Sequence, residues 1–286
     1  MRKRHNMSND RRPLPPAIRT PSNTSYESLS QRHRADLATR LPAFLPRTMW
    51  SAERIGPERQ RGLRRLLAHA KEYSPWHARR LAHIDPETFV EADLVRLPKM
   101  TKADVMANFD QIVTDPRISL ATLETHLARL EENPGCNSYL FGRFHVIATS
   151  GSSGRRGVFV YDWDGWTVAA MTGARGRAIA SRETPAVPTD FKAVAIAANN
   201  ASHLSYAITR TFLPETTLVP VTLPFTEIAA QLNALQPNRI VGYPSMLHQL
   251  CLAAKRGQLR IEPVSVTCGG EPLLPEIRAA NDVHRR

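Results

Sequence analysis

The apolar positions of this chain change rhythm about halfway along it. Before residue 144 they recur at helical spacing. Leu63, Leu66, Leu67 and Ala70 form one stripe within Pro57–Leu81, with Pro57 in the first turn and Arg59, Arg61, Arg64 and Arg65 on the wet face. Leu120–Glu132 is a second amphipathic stretch, stopped by Asn133-Pro134-Gly135. Between the two, Thr101-Lys102-Ala103-Asp104 reads as a capping box opening a short helix, with Asp in the place of the usual Glu.

Past residue 144, short apolar runs without alternation take turns with helical segments. Strands are expected at Phe144–Thr149, Gly157–Tyr161, Phe191–Ala198, Thr217–Val221, Arg239–Gly242 and Val264–Cys268. Helices are expected at Trp163–Arg182, Ser202–Phe212, Phe225–Leu235, Pro244–Arg256 and Leu273–Val283. Unalternating strands spaced by helices predict a mostly parallel sheet covered on both faces. The fold class is therefore α/β, with residues 26–143 a mainly helical portion and 144–286 the α/β portion of one domain.

Composition narrows the setting. A hydrophobic share of 42% with 22% charged residues is that of an ordinary water-soluble domain, and the apolar runs are too short to span a bilayer. The basic N-terminus is followed by no apolar stretch of the secretory kind. Cys136, Cys251 and Cys268 are odd in number and widely spaced, which fits reduced thiols and a cytoplasmic location. His248 and Cys251 lie three apart on an expected helix with no second pair, so packing is the reading and no metal site is expected. The net charge of +12 raises the question of nucleic acid. Residues 1–40 hold nine Arg/Lys against three Asp/Glu, 9 − 3 = +6, half of the excess. Much of the basicity thus belongs to a tail, whose first 25 residues are rich in Pro, Ser and Asn and expected to be disordered. No aromatic residues alternate with these charges, which disfavours a single-strand binder.

The candidate chemistry lies in loops. Thr149-Ser150-Gly151-Ser152-Ser153-Gly154-Arg155-Arg156-Gly157 follows a strand, and its glycines and hydroxyls suit a phosphate cradle that Arg155 and Arg156 would neutralise. It is not a Walker loop, because it runs into a second strand, and a plain hairpin turn is the competing reading. Gly242-Tyr243-Pro244-Ser245 and Cys268-Gly269-Gly270-Glu271-Pro272 each sit at the carboxyl end of an expected strand, where open α/β sheets bind ligands. Each alone is equally compatible with turn chemistry.

Taken in order, these segments resemble a known family. ATSGSSGRRGVFVYDWDGW (residues 148–166) is similar to the Ser/Thr/Gly-rich signature of adenylate-forming enzymes, above all the phenylacetate–CoA ligase-like branch. Leu97–Asp104 resembles that branch's LP-x-TKxD element, and Tyr73-Ser74-Pro75-Trp76 its SPxY/W turn. VGYPSMLHQLCLAAKRGQL and VTCGGEPLLPEIR resemble its GYPS helix and GGEPL segment. The resemblance spans residues 50–282.

It implies the large N-terminal domain of such enzymes, without the small C-terminal lid domain. It also implies ATP with Mg²⁺, a small-molecule carboxylic acid and coenzyme A as ligands. The acid attacks the α-phosphate of ATP, and CoA sulfur then displaces AMP. By resemblance Thr149, Ser150, Gly151, Ser152, Ser153, Gly154, Arg155 and Arg156 meet the phosphates. Gly269, Gly270, Glu271 and Pro272 flank the adenine, while Tyr243, Ser245 and His203 line the acyl side.

The family loop continues with a Lys-Pro or Pro-Lys pair, where Arg155-Arg156-Gly157 stands here. The family's metal-binding Glu, ribose-binding Asp and C-terminal catalytic Lys segments have no counterpart in the chain, so the expectation is weak ATP binding and negligible turnover. A second polypeptide supplying those segments would complete the enzyme. A non-catalytic binding protein on the same scaffold is the alternative, and nucleic-acid binding a distant third.

Overall fold

The computed structural model describes residues 25–133, 135–149, 156–180 and 192–282, so nearly all of the basic tail lies outside the described part. The chain opens with α1 (Tyr26–Phe44), capped by the Ser25 hydroxyl, which accepts from Ser28 N–H. Then α2 (Ala52–Tyr73) and α3 (Pro75–Arg80) stand where one helix over Pro57–Leu81 was expected. Two prolines account for the difference. Pro57 lies inside α2 rather than in its first turn. Pro75 forces Ser74 into an extended conformation, φ −114° and ψ 109°, which ends α2. Ser74 then serves both sides of the break. Its hydroxyl accepts from His77 N–H and donates to the Gln111 carbonyl.

The capping box is present as expected. Asp104 N–H donates to Thr101 Oγ1 at 3.1 Å and Thr101 N–H to Asp104 Oδ2 at 2.8 Å, opening α4 (Lys102–Ala107). After α5 (Phe109–Ile112) comes α6 (Leu120–Glu132), with the bounds expected of it.

The rest of the chain builds two sheets. β1 (Tyr139–Leu140), β2 (Phe144–Ala148) and β3 (Val158–Tyr161) pair antiparallel in that order. The predicted phosphate loop therefore joins antiparallel neighbours, with Ala148 opposite Val158 at its base. β2 is buried along its whole length because both of its faces are covered. Phe144, Val146 and Ala148 pack with Leu123 and Leu127 of α6, while Ile147 meets Trp166 and Ala170 of α7 (Trp163–Ala180).

The second sheet is parallel. β4 (Ala193–Ala197), β5 (Thr217–Pro220), β6 (Arg239–Gly242) and β7 (Ser265–Cys268) lie in the order β5-β4-β6-β7. They alternate with α8 (Leu204–Phe212), α9 (Phe225–Leu235), α10 (Pro244–Lys255) and α11 (Pro275–Asp282). Val194, Ile196, Val219 and Ile240 pack with Ile228 and Leu232 of α9 and Leu247 and Leu250 of α10. Of these four strands β4 alone is wholly buried; coverage thins outward, and β7 is half open to solvent.

Candidate functional site

The strand order sets where a ligand can enter. β4 is followed in sequence by β5 on one side, whereas β6 is followed by β7 on the other. The connections leaving β4 and β6 thus depart in opposite directions, and a crevice opens between their carboxyl ends. The segment after β4 carries His203, which caps α8 and is half-buried. The segment after β6 carries Tyr243 and Ser245, with Tyr243 as the cap of α10 and Pro244 in its first turn.

The Gly-Gly-Glu segment joins them. Gly269 N–H donates to the Gly242 carbonyl at 3.2 Å, which carries the β6–β7 pairing one step past the strands. Gly270 has φ +84°, and a Cβ there would lie 2.8 Å from Tyr243 Cε1, so only glycine fits against that ring. A Cβ on Gly269 would meet nothing within 4 Å, which leaves one side of its backbone open for a flat group. Glu271 reaches back across the turn, and its Oε2 accepts from Ser245 N–H at 3.0 Å. The carboxylate sits at the positive end of α10 and fills an otherwise unsatisfied donor there. Pro272 is exposed.

The base of the predicted phosphate loop reaches the same rim. Thr149 N–H donates to the Gly157 carbonyl and Gly157 N–H to Thr149 Oγ1, both at 2.9 Å. One residue earlier, Ala148 N–H donates to the Ser202 carbonyl at 2.9 Å, tying the end of β2 to the segment before His203. Ser150, Gly151, Ser152, Ser153, Gly154 and Arg155 lie outside the described residues.

Arg156 is engaged with acids. Its guanidinium is 2.6 Å from Glu131 Oε1 and 3.9 Å from Glu124 Oε2, both on α6, so phosphate contact would require it to leave them. A different cation stands at the loop base. The Lys102 side chain lies over Gly157, where a Cβ would be 2.7 Å from Lys102 Cε. Its helix is fixed by the Thr101–Asp104 capping box, and Met106 Sδ of the same helix accepts from Val158 N–H. Lys102 is visible in the sequence only as part of a helix start; nothing local tells that the start packs under a loop some 50 residues on.

The structure therefore gathers His203, Tyr243, Ser245, Gly269, Gly270, Glu271 and the loop base at one end of the parallel sheet. Among the described residues no three His, Cys, Asp or Glu side chains are grouped to hold a metal ion. Nor is any helix among them long and apolar enough to cross a membrane.

No protein-family model matches the sequence, and no curated protein is similar to it. Solved structures are. An open conformation of 2-hydroxyisobutyryl-CoA ligase in complex with 2-HIB-AMP and CoA superposes with a TM-score of 0.55 at 17% identity, over 82% of this chain and 52% of that one. The same ligase in the postadenylation state with R3-HIB-AMP gives 0.55 at 18% identity, over 81% and 47%. Its thioesterification state gives 0.54 at 17%, over 81% and 48%. The chain spans about half the length of these ligases and shares the mixed α/β fold of that half.

Proposed function

We propose that the chain supplies the nucleotide-binding half of an AMP-forming acid–CoA ligase of the phenylacetate–CoA ligase-like branch. In this reading ATP lies across the crevice between β4 and β6. Its phosphates meet the 149–157 loop, its adenine lies on the open side of Gly269, and the carboxylic acid approaches beside Tyr243, Ser245 and His203. The observation that carries the reading is the meeting of the 202–203, 243–245 and 269–271 segments at the point where the strand order reverses. The similar folds, solved with an acyl-AMP and CoA, support it.

The chemistry assigned to these residues is positional. A carboxylate and an α-phosphate repel one another, so the protein must hold them together and place donors on the phosphate oxygens. Lys102, over Gly157 at the base of the loop, and the open face of Gly269 are suited to that. The metal is not accommodated in the same way. Glu271, an acid at the crevice, is occupied as the cap of α10 and does not fit as a metal ligand, so Mg²⁺ would be carried by the phosphates of ATP.

The test is equilibrium dialysis of the purified chain against labelled Mg-ATP, followed by ATP–pyrophosphate exchange with a panel of aryl and fatty acids. Weak, saturable ATP binding is expected, reduced about three- to tenfold by Lys102→Ala, with no measurable exchange. Measurable exchange would overturn the expectation of inactivity. Absence of ATP binding would favour the second reading, a non-catalytic binding protein. The internal pairing of Arg156 with Glu131 and of Glu271 with Ser245 supports that alternative.

A further inference from the structure

The turn between α1 and α2 and the neighbouring face of α7 carry chemistry that the crevice does not use. The turn, Leu45–Met49, is a short 3-10 helix, and α7 lies against it. Met49 is 68% exposed. On α7, Val168, Arg175 and Ile179 are spaced by two turns and then one, so they share one side of the helix. Both apolar members are open to solvent, Val168 at 43% and Ile179 at 49%.

Arginines and aromatic rings are interleaved across the same face. Arg175 lies over the Phe44 ring at 5.3 Å and Arg47 over it at 5.1 Å. Arg47 also lies over Trp50 at 5.3 Å, and Arg54 over Trp50 at 4.0 Å. A continuous series of guanidiniums and rings thus runs from α7 to the start of α2. None of these three arginines is in an ion pair among the described residues. The acids of these segments are engaged elsewhere, Glu53 in a hydrogen bond with Ser51 and Asp164 with Arg40.

The face therefore offers unneutralised positive charge and exposed hydrocarbon together, and that pairing discriminates among polyanions. Single-stranded nucleic acid stacks its bases on free ring faces. Here Phe44 and Trp50 are half-buried with guanidiniums over them, and Met49, Val168 and Ile179 would find no partner on a nucleic acid. A bilayer bearing anionic headgroups meets both halves of the requirement. Its phosphates match the arginines, and the boundary between headgroups and acyl chains accepts methionine, isoleucine and the indole.

We propose that the α1–α2 turn and the outer face of α7 form a docking surface for an anionic lipid bilayer, with Arg47, Arg54 and Arg175 at the phosphates and Met49 and Trp50 in the interface.

Co-sedimentation of the full chain with vesicles tests the idea, using phosphatidylcholine alone and phosphatidylcholine with phosphatidylglycerol added. Binding to the mixed vesicles only is expected, and it should weaken with salt. Arg54→Gln and Arg175→Gln should each weaken it about fivefold. Met49→Asp should weaken it about tenfold, because it removes hydrocarbon and adds a repelled charge. Brominated acyl chains should quench Trp50 fluorescence, and Trp50→Phe should remove that quenching. Trp76 and Trp166 are buried and out of reach. Unchanged urea midpoints of these surface variants separate docking from misfolding. The N-terminal tail is basic as well, so vesicle binding indifferent to all three substitutions would belong to the tail and overturn the proposal. Absence of binding, or binding that ignores phosphatidylglycerol, overturns it too. So does tighter binding of an oligonucleotide that depends on the arginines but not on Met49, which would assign the face to nucleic acid.

Discussion

The two ends of this molecule are held together in opposite ways. At the antiparallel end, α1 and α7 close over β1 and β2 on a buried cluster of aromatic rings and histidines. His33 is stacked on Trp163 at 3.8 Å, and His145 on Trp166 at 4.3 Å with Tyr139 beside it. Both histidines and Trp166 are excluded from solvent. At the parallel end, β7 carries an exposed valine and, among the described residues, no covering layer beyond α10 and α11. The first end is closed by side chains fitted to one another, and the second is left open. The parallel half keeps its own core under β4 and β6, and packing thins only toward β7.

Breaking the closed end should therefore cost far more than trimming the open one. Trp166→Ala removes a fully buried indole from between β2 and α8 and is expected to destabilise the chain by about 3–5 kcal/mol. Leu273→Ala, at a half-exposed position of the open end, should change stability by less than about 0.5 kcal/mol. Urea denaturation of the two variants side by side checks this contrast. Equal losses would show that the open end is packed against something.

Acid should separate the two ends next. Burial holds the His33 pKa down to about 4, against partial opposition from its bond to the Trp163 carbonyl and the nearby Asp36 carboxylate. His145 is pushed well below the ordinary histidine range, again by burial, with His33 and His126 adding to it. The contacts of His33 fit the neutral ring. Nε2–H donates to the Trp163 carbonyl, and Nδ1 accepts from the Tyr139 hydroxyl at 3.0 Å. A lowered folded pKa means that the unfolded chain takes up the proton first. Stability is then full above pH ~6.5 and falls as the pH drops towards 4, by roughly 3 kcal/mol for His33 alone. A His33→Gln variant should flatten that slope between pH 6.5 and 4 in denaturation series, and an unchanged slope would refute the assignment.

A modest effect is expected at the crevice itself. Glu271→Gln keeps an acceptor for Ser245 N–H but removes the negative charge at the head of α10. It should cost about 0.5–1 kcal/mol, less at high salt. A larger loss, insensitive to salt, would mean that Glu271 does more than cap.

Much of the architecture is legible from periodicity. The bounds of Leu120–Glu132, Phe225–Leu235 and Arg239–Gly242 agree between sequence and structure because a capping serine, a left-handed Gln236 and short apolar runs act locally. The disagreements are local in cause too. Pro57 resembles a helix start, yet Ser51 and Glu53 begin α2 five residues earlier, and Pro75 splits the remainder of that stretch. The division into two sheets is not legible, because the pairing partners of β2 depend on where the chain turns, not on its own composition. At the site, the strand-end positions of Tyr243, Ser245, Gly269 and Gly270 can be read from strand spacing and glycine. The capture of Arg156 by Glu131, 25 residues away, and the approach of Lys102 to Gly157 cannot, since neither leaves a mark in its own neighbourhood.

Three of the joints that assemble the crevice are made by main chain alone: Ala148 N–H to Ser202, Thr149 N–H to Gly157, Gly269 N–H to Gly242. Such joints do not inspect side chains. Mutation can rewrite the residues around them, charges and reactive groups included, without loosening the frame that brings the loops together. Shape and chemistry are thereby uncoupled, and a fold can be alike where only 17% of residues are identical. A frame joined in this way keeps its outline whatever side chains are set into it.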